Sequence, residues 1–179
     1  AYLGYLAGYE TISDVVADPV FADFARHLWH AEIIPVLQAP PGADLDGYAD
    51  ALLARYQNPA IRHRTWQIAM DGSQKLPQRI LATLAVAQAP CPGLCLALAA
   101  WMRYVGGVDE AGQPIDVKDP LAAELRARAT SDAPVAALLG LGAVFSPAIA
   151  AQIAAPVTAA HARLMAVGAR AAVMEVLAT

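Results

Sequence analysis

Alanine is the feature that most constrains this chain, because it occupies 42 of the 179 positions. Alanine is the strongest helix former and adds little to the packed face of a β-sheet, so this abundance disfavours a sandwich or a barrel. No run of four or more residues alternates apolar and polar side chains with β-branched residues, as a half-buried strand would. A chain of this length fits one domain. We therefore predict an all-α fold, a multi-helical bundle forming a single domain over residues 1–179.

Several helix starts are marked by a capping residue followed by proline, a pair that satisfies a free backbone amide and presets φ for the first turn. Asp18-Pro19, Asp119-Pro120 and Ser146-Pro147 have this pattern. The helix after Pro19 has the clearest amphipathic periodicity. Further helices are predicted at about 45–56, 64–70, 76–88, 93–105, 120–130, 134–141, 147–154 and 157–178.

Two uncharged stretches, 80–102 and 133–162, exceed the roughly 20 residues that a membrane-spanning helix needs. Proline and glycine between residues 90 and 93 interrupt the first stretch, and Pro147 and Pro156 interrupt the second. Their many alanines are also only weakly driven into lipid. We therefore predict shorter buried helices of a soluble protein and no membrane association.

The net charge of −4 offers no positive footprint for a polyanion, so no nucleic-acid partner is expected. Two cysteines, Cys91 and Cys95, are too few for a disulfide framework and are predicted as small core residues. No secretory signal is recognisable, which favours a cytoplasmic location. The sequence opens on Ala1 within a helical pattern, so we expect it to be part of a longer protein.

The glycine, histidine and acidic residues of the sequence do not form a recognisable motif for a nucleotide or a metal. Gly140-Leu141-Gly142 lacks a third glycine and follows a helical pattern, so it is not a dinucleotide-binding fingerprint. His27 and His30 lie three residues apart near Glu32, without a marked third ligand or the spacing of a zinc protease. We predict no cofactor-binding and no metal-binding residues within this chain.

The segment from Asn58 to Arg79 is the most informative for chemistry. It holds four of the twelve cationic side chains within 18 positions: Arg62, Arg64, Lys75 and Arg79. The turn at 71–73 is expected to project Lys75 from the start of the next helix, where free amides also favour anions. Two interpretations fit this composition, an anion-binding site and a solvated helical hairpin with intrahelical ion pairs.

Several short motifs together resemble a known family. They are Tyr2-Leu3-Gly4, Gly8-Tyr9, Glu32 to Pro35, Arg55 with Asn58-Pro59, Asp71-Gly72-Ser73-Gln74-Lys75, and Asp119-Pro120-Leu121-Ala122. The chain is similar, over nearly its whole length, to the C-terminal half of the polyol-specific long-chain dehydrogenases. The Asp-Gly-Ser-x-Lys segment in its arginine-rich setting is the most specific part of this resemblance.

The resemblance implies a helical domain of the 6-phosphogluconate-dehydrogenase C-terminal type that supplies the substrate site. An N-terminal Rossmann domain of the same protein would bind NAD or NADP, with no metal involved. The family's catalytic lysine, asparagine and histidine lie on a helix leading into the segment that matches Tyr2-Leu3-Gly4, so they are expected upstream of Ala1. Lys75 matches a basic position near the substrate, and Arg79 and Gln67 are further candidates for substrate binding.

Three functional hypotheses follow. The first is the substrate-binding domain of an NAD-dependent oxidoreductase that interconverts a keto-sugar acid and its alcohol, of the fructuronate/mannonate type; the cations between Arg62 and Arg79 favour it. The second is a mannitol 2-dehydrogenase acting on mannitol and fructose. The third is a non-catalytic helical module that binds another protein chain. In the first two, this chain alone is expected to be inactive.

Overall fold

The computed structural model describes all 179 residues, and its regular structure is helical. Two isolated bridges, Thr11 with Arg64 and Val108 with Pro114, are the only β-pairings. The helices are α1 (Tyr2–Leu6), α2 (Ile12–Ala17), α3 (Pro19–His27), α4 (Leu45–Tyr56), α5 (Thr65–Ala69), α6 (Gly72–Leu76), α7 (Ala82–Val86), α8 (Pro92–Tyr104), α9 (Ala122–Ala129), α10 (Pro134–Leu139), α11 (Pro147–Val167) and α12 (Ala169–Leu177). The predicted all-α fold is confirmed.

Helix α8 is the centre of the core. Ten of its 13 residues are buried, and Trp101 is fully enclosed. A helix that is apolar around its whole circumference belongs in a core rather than on a surface. Helix α11 packs along it, and α1, α10 and α12 pack against its other sides. Cys91 and Cys95 are buried here, as predicted, and burial raises the pKa of the Cys95 thiol to about 11.

None of the helices combines the length and the apolar character that crossing a bilayer requires. The first uncharged stretch is divided as predicted, because α7 ends at Val86 and α8 begins at Pro92.

The second uncharged stretch differs from its prediction, because α11 continues through Pro156 as one helix. Proline cannot donate the interior hydrogen bond, which costs a helix about 3 kcal/mol. The same helix buries Ile153, Val157 and Leu164, and each such side chain contributes about 1.5–3 kcal/mol. Tertiary packing therefore outweighs the lost hydrogen bond. The chain breaks instead at Gly168, whose φ of 81° lies in the left-handed region.

Two of the three predicted helix starts are confirmed. Asp18 accepts a hydrogen bond from the Val20 amide at 3.0 Å, and Ser146 caps α11 through the Ile149 amide. Asp119-Pro120 was wrong as a local helix start, because α9 begins at Ala122. The Asp119 carboxylate accepts from the Leu121 amide of its own loop and also contacts a turn far away in the sequence.

Two π-helical turns lie next to standard helices. One, Leu28–Ile33, extends α3, and the other, Pro77–Leu81, joins α6 to α7. The helix predicted from residue 76 therefore begins earlier, at Gly72, and runs through this wider turn. π-helical turns are rare in proteins, and those that do occur are often found at functional sites.

Candidate substrate site

A cavity of about 460 Å³ lies among α1, α2, α3, α4 and the helical segment from α6 to α7. Its size is in the range of small-molecule sites. Most of its wall is apolar and aromatic, including Phe24 and Trp29. Both π turns contribute to the wall, one through Leu28 and the other through Arg79.

The charged groups on the cavity wall are all basic. Arg55, Lys75 and Arg79 line it together with His63, and no aspartate or glutamate does. Seven of the twelve lysines and arginines lie within 4 Å of a carboxylate in ion pairs. The three cavity cations are among the five that do not. An apolar cavity with uncompensated cations favours an anionic ligand.

Lys75 is half-buried and is held by the backbone before it. Its Nζ donates to the Met70 carbonyl oxygen at 2.6 Å and lies 3.4 Å from that of Ile68. These carbonyls belong to the C-terminal end of α5, where a cation is favourable. Because an ammonium group has three donors, one N–H remains for a ligand. Lys75 is therefore both oriented and available.

Arg79 follows Lys75 by four residues and lies on the same side of the helical segment, in the π turn. Arg55 comes from the last turn of α4, where its guanidinium carbon is 5.9 Å from the Tyr56 ring centroid. Reasoning on charge clustering missed Arg55 because it is 20 residues from Lys75 in the sequence. No acidic residue lies three or four positions from it, and that signal could have identified an unpaired cation.

The remainder of the predicted basic cluster points elsewhere. Arg64 pairs with Glu10 at 3.1 Å, and Arg62 does not line the cavity. Gln67 is exposed and caps α5, its Oε1 accepting from the Arg64 amide at 3.4 Å; its role in substrate binding stays a prediction. The hairpin interpretation requires intrahelical ion pairs, and none of these cations forms one.

The turn before Lys75 is confirmed and is tightly packed. Asp71 adopts a left-handed conformation with φ of 56°. A Cβ atom on Gly72 would overlap the Trp101 indole and lie 2.6 Å from the Tyr2 hydroxyl, so only glycine fits there. Burial, with Tyr104 and Asp119 nearby, raises the pKa of Tyr2 far above its usual range. The Tyr2 hydroxyl therefore stays protonated, and it donates to the Ala69 carbonyl oxygen at 3.2 Å.

Glu32, the acidic residue near His27 and His30, has a structural role at the start of α8. Glu32 is buried, and its two carboxylate oxygens accept from the amides of Gly93 and Leu94, each at 2.7 Å. His27 contacts the same carboxylate at 3.0 Å, whereas His30 contacts Asp46. Glu32 thus caps the N-terminus of α8 from another part of the chain.

Comparison with known proteins gives consistent matches. Residues 1–165 match the family model described as mannitol dehydrogenase C-terminal domain. D-mannonate oxidoreductase of Escherichia coli strain K12 is 47% identical over 178 residues, covering 95% of this chain and 37% of that protein. The uncharacterized oxidoreductase YeiQ of the same organism is 52% identical over 151 residues, covering 81% of this chain and 31% of that protein.

The fold has a solved counterpart in Pseudomonas fluorescens mannitol 2-dehydrogenase, whose structure is a ternary complex with NAD and D-mannitol. The TM-score is 0.93 at 28% identity, covering 99% of this chain and 37% of that one. This chain thus spans about a third of the length of these relatives. Since the family model covers nearly the whole sequence, the chain belongs to the mannitol dehydrogenase C-terminal domain family.

Proposed function

We propose that this chain is the substrate-binding C-terminal domain of an NAD-dependent oxidoreductase that interconverts a keto-sugar acid and its alcohol, of the fructuronate/mannonate type. The observation that carries the proposal is the cavity wall, where Arg55, Lys75 and Arg79 face no carboxylate. The 47% identity to a D-mannonate oxidoreductase supports it.

The charge of the substrate decides between this proposal and the alternative, a mannitol 2-dehydrogenase. A hexuronate brings one carboxylate, whose transfer from water into a largely apolar cavity is costly unless a cation accompanies it. Lys75, Arg55 and Arg79 provide such cations, and an arginine can bind a carboxylate through two parallel hydrogen bonds. Lys75 is half-buried whereas Arg55 and Arg79 are exposed, so a neutral polyol would leave Lys75 in particular without a counter-charge. The cavity therefore favours the acid.

The part of this chain in the reaction is to bind and orient the sugar. Within residues 1–179 there is no strand followed by a glycine-rich turn and a helix, the arrangement that binds a dinucleotide in a Rossmann domain. We assign NAD binding to a Rossmann domain in the remaining part of a longer protein. Ala1 and Tyr2 line the cavity, so a catalytic helix leading into α1 would end at the cavity that Lys75 also lines.

The test is a substrate panel with the intact protein. Mannonate, altronate and mannitol are offered with NAD and with NADP, and kcat/KM is measured for each. We expect a sugar acid to be preferred over mannitol. A preference for mannitol would establish the alternative, and no turnover of any substrate would favour a non-catalytic helical module.

A further inference from the structure

We infer that Asp119 is a positioning residue for Lys75, acting through the turn at 71–73. This inference rests on the proposed role of Lys75 in substrate binding. Asp119 itself does not line the cavity.

The Asp119 carboxylate holds the first turn of α6. Its Oδ2 accepts from the Ser73 amide at 2.8 Å, and its Oδ1 accepts from the Ser73 hydroxyl at 2.6 Å. The same Oδ1 accepts from the Leu121 amide at 2.9 Å, which fixes the carboxylate on its own loop. Asp119 thus serves as the N-cap of a helix that lies 46 residues earlier in the sequence.

Helix α6 needs such a cap because it cannot form one locally. Asp71 occupies the N-cap position but makes no side-chain capping hydrogen bond there. The helical segment that α6 begins has amides without intrahelical partners at its start. Its position therefore depends on contacts from elsewhere in the fold.

The neighbouring residue, Lys118, contacts both elements that surround Lys75, namely the turn before α6 and helix α5. Its carbonyl oxygen accepts from the Asp71 amide at 2.9 Å, and its Nζ lies 4.6 Å from the ring centroid of Trp66 on α5. The carbonyls that hold the Lys75 ammonium come from the end of α5, whereas the Lys75 backbone belongs to α6. The dipeptide 118–119 therefore sets the relative placement of the two elements that aim Lys75.

A double-mutant cycle in the intact protein tests this inference, using Asp119→Asn, Lys75→Met and the double variant. The matched control is Asp132→Asn, in the exposed connection between α9 and α10, whose carboxylate makes no hydrogen bond or ion pair. We expect Asp119→Asn to raise KM for the preferred sugar acid about 5- to 20-fold with little change in kcat. In the Lys75→Met background the same change should add less than about twofold, because coupled residues are not additive.

The outcomes distinguish the positioning role of Asp119 from the substrate-binding role of Lys75. If Lys75→Met weakens substrate use while Asp119→Asn changes only the melting temperature, or if the two effects multiply, the positioning role is wrong and the proposed function stands. If Lys75→Met leaves the kinetics intact, the proposed role of Lys75 in substrate binding fails. Positioning is then judged by acylation of the Lys75 amine under limiting reagent, followed by mass spectrometry. Equal Lys75 reactivity in Asp119→Asn and Asp132→Asn would overturn it, and higher reactivity in Asp119→Asn would support it.

A second variant covers the case in which Asp119→Asn does not fold. Ser73→Ala removes the hydroxyl contact with Asp119 and keeps the backbone amide that binds the other oxygen. We expect a smaller rise in KM in the same direction. An unchanged KM together with unchanged Lys75 reactivity would contradict the inference.

Discussion

At the residue scale, Lys75 combines a structural role with its proposed role in substrate binding, and its surroundings keep the two separate. Its hydrogen bonds to the carbonyls of Ile68 and Met70 stabilise the end of α5, and its third N–H is left for a ligand in the cavity. A flexible lysine would lose side-chain entropy on binding a substrate. Here folding has already restricted the side chain, so binding orders it less.

Replacing Lys75 by methionine tests the ligand-binding function in the intact protein. Loss of a charge-assisted contact of about 1.5–3 kcal/mol should lower kcat/KM for the sugar acid about 10- to 150-fold. Loss of the Met70 hydrogen bond should lower stability by only about 1 kcal/mol, and cofactor affinity should not change. Steady-state kinetics on acid and polyol, with thermal unfolding alongside, measure all three.

Arg62→Met is the matched control, because Arg62 is an exposed, unpaired cation of the same segment that does not line the cavity. It should leave both kinetics and stability unchanged. A Lys75 variant that loses stability but retains full kcat/KM would return the basic segment to a purely structural interpretation.

At the element scale, the helices depend on contacts between distant parts of the chain. Glu32 caps α8 and Asp119 caps α6, in each case from more than 40 residues away. Helix α11 tolerates Pro156 because its buried face is anchored on α8. In addition, the Gln152 side chain of this helix donates to the Leu84 carbonyl oxygen at 2.9 Å.

Pro156→Ala tests the packing account of α11. The proline ring is exposed, so its removal costs little packing, while alanine restores a backbone donor and improves helix propensity. We expect the free energy of unfolding to rise by about 1–3 kcal/mol, measured by urea denaturation. Ala155→Gly, at the neighbouring exposed position, should instead lower it by about 1 kcal/mol. An unchanged or lower stability in Pro156→Ala would mean that the helix is adapted to the proline.

At the scale of the whole molecule, an ion pair joins two parts of the chain separated by 152 residues. Arg170 on α12 donates to Asp18, the N-cap of α3, at 2.7 Å, and Tyr9 donates to the same carboxylate at 2.9 Å. The hydrogen bond from Arg170 is the main cause that lowers the pKa of Asp18 below its usual value.

This lowered pKa has a defined consequence for stability. Because the native pKa lies below the ordinary value near 4, the contribution of Asp18 is complete above about pH 4 and is lost as the pH falls through the native pKa. Arg170→Met should therefore be less stable than the wild type at pH 7, and the difference should shrink below about pH 4. Urea titrations between pH 7 and pH 2.5 measure it, with Arg62→Met as control. A difference that stays constant with pH would rule out the ion pair as its source.

The sequence alone determined the features that depend on neighbouring residues. Alanine abundance and the lack of strand patterns predicted the all-α fold, and the local caps at Asp18 and Ser146 marked two helix starts correctly. These are short-range effects, since capping and helical periodicity act within about one turn.

Only the tertiary structure decided the rest. It carried α11 through Pro156, transferred Asp119 from its own helix to that of Ser73, and added Arg55 to the wall of the cavity. Each outcome depends on which surfaces lose contact with water together, and that is a property of the folded chain as a whole. A buried contact can outweigh a local preference of about 1–3 kcal/mol, and the local sequence does not contain the partner that makes the contact.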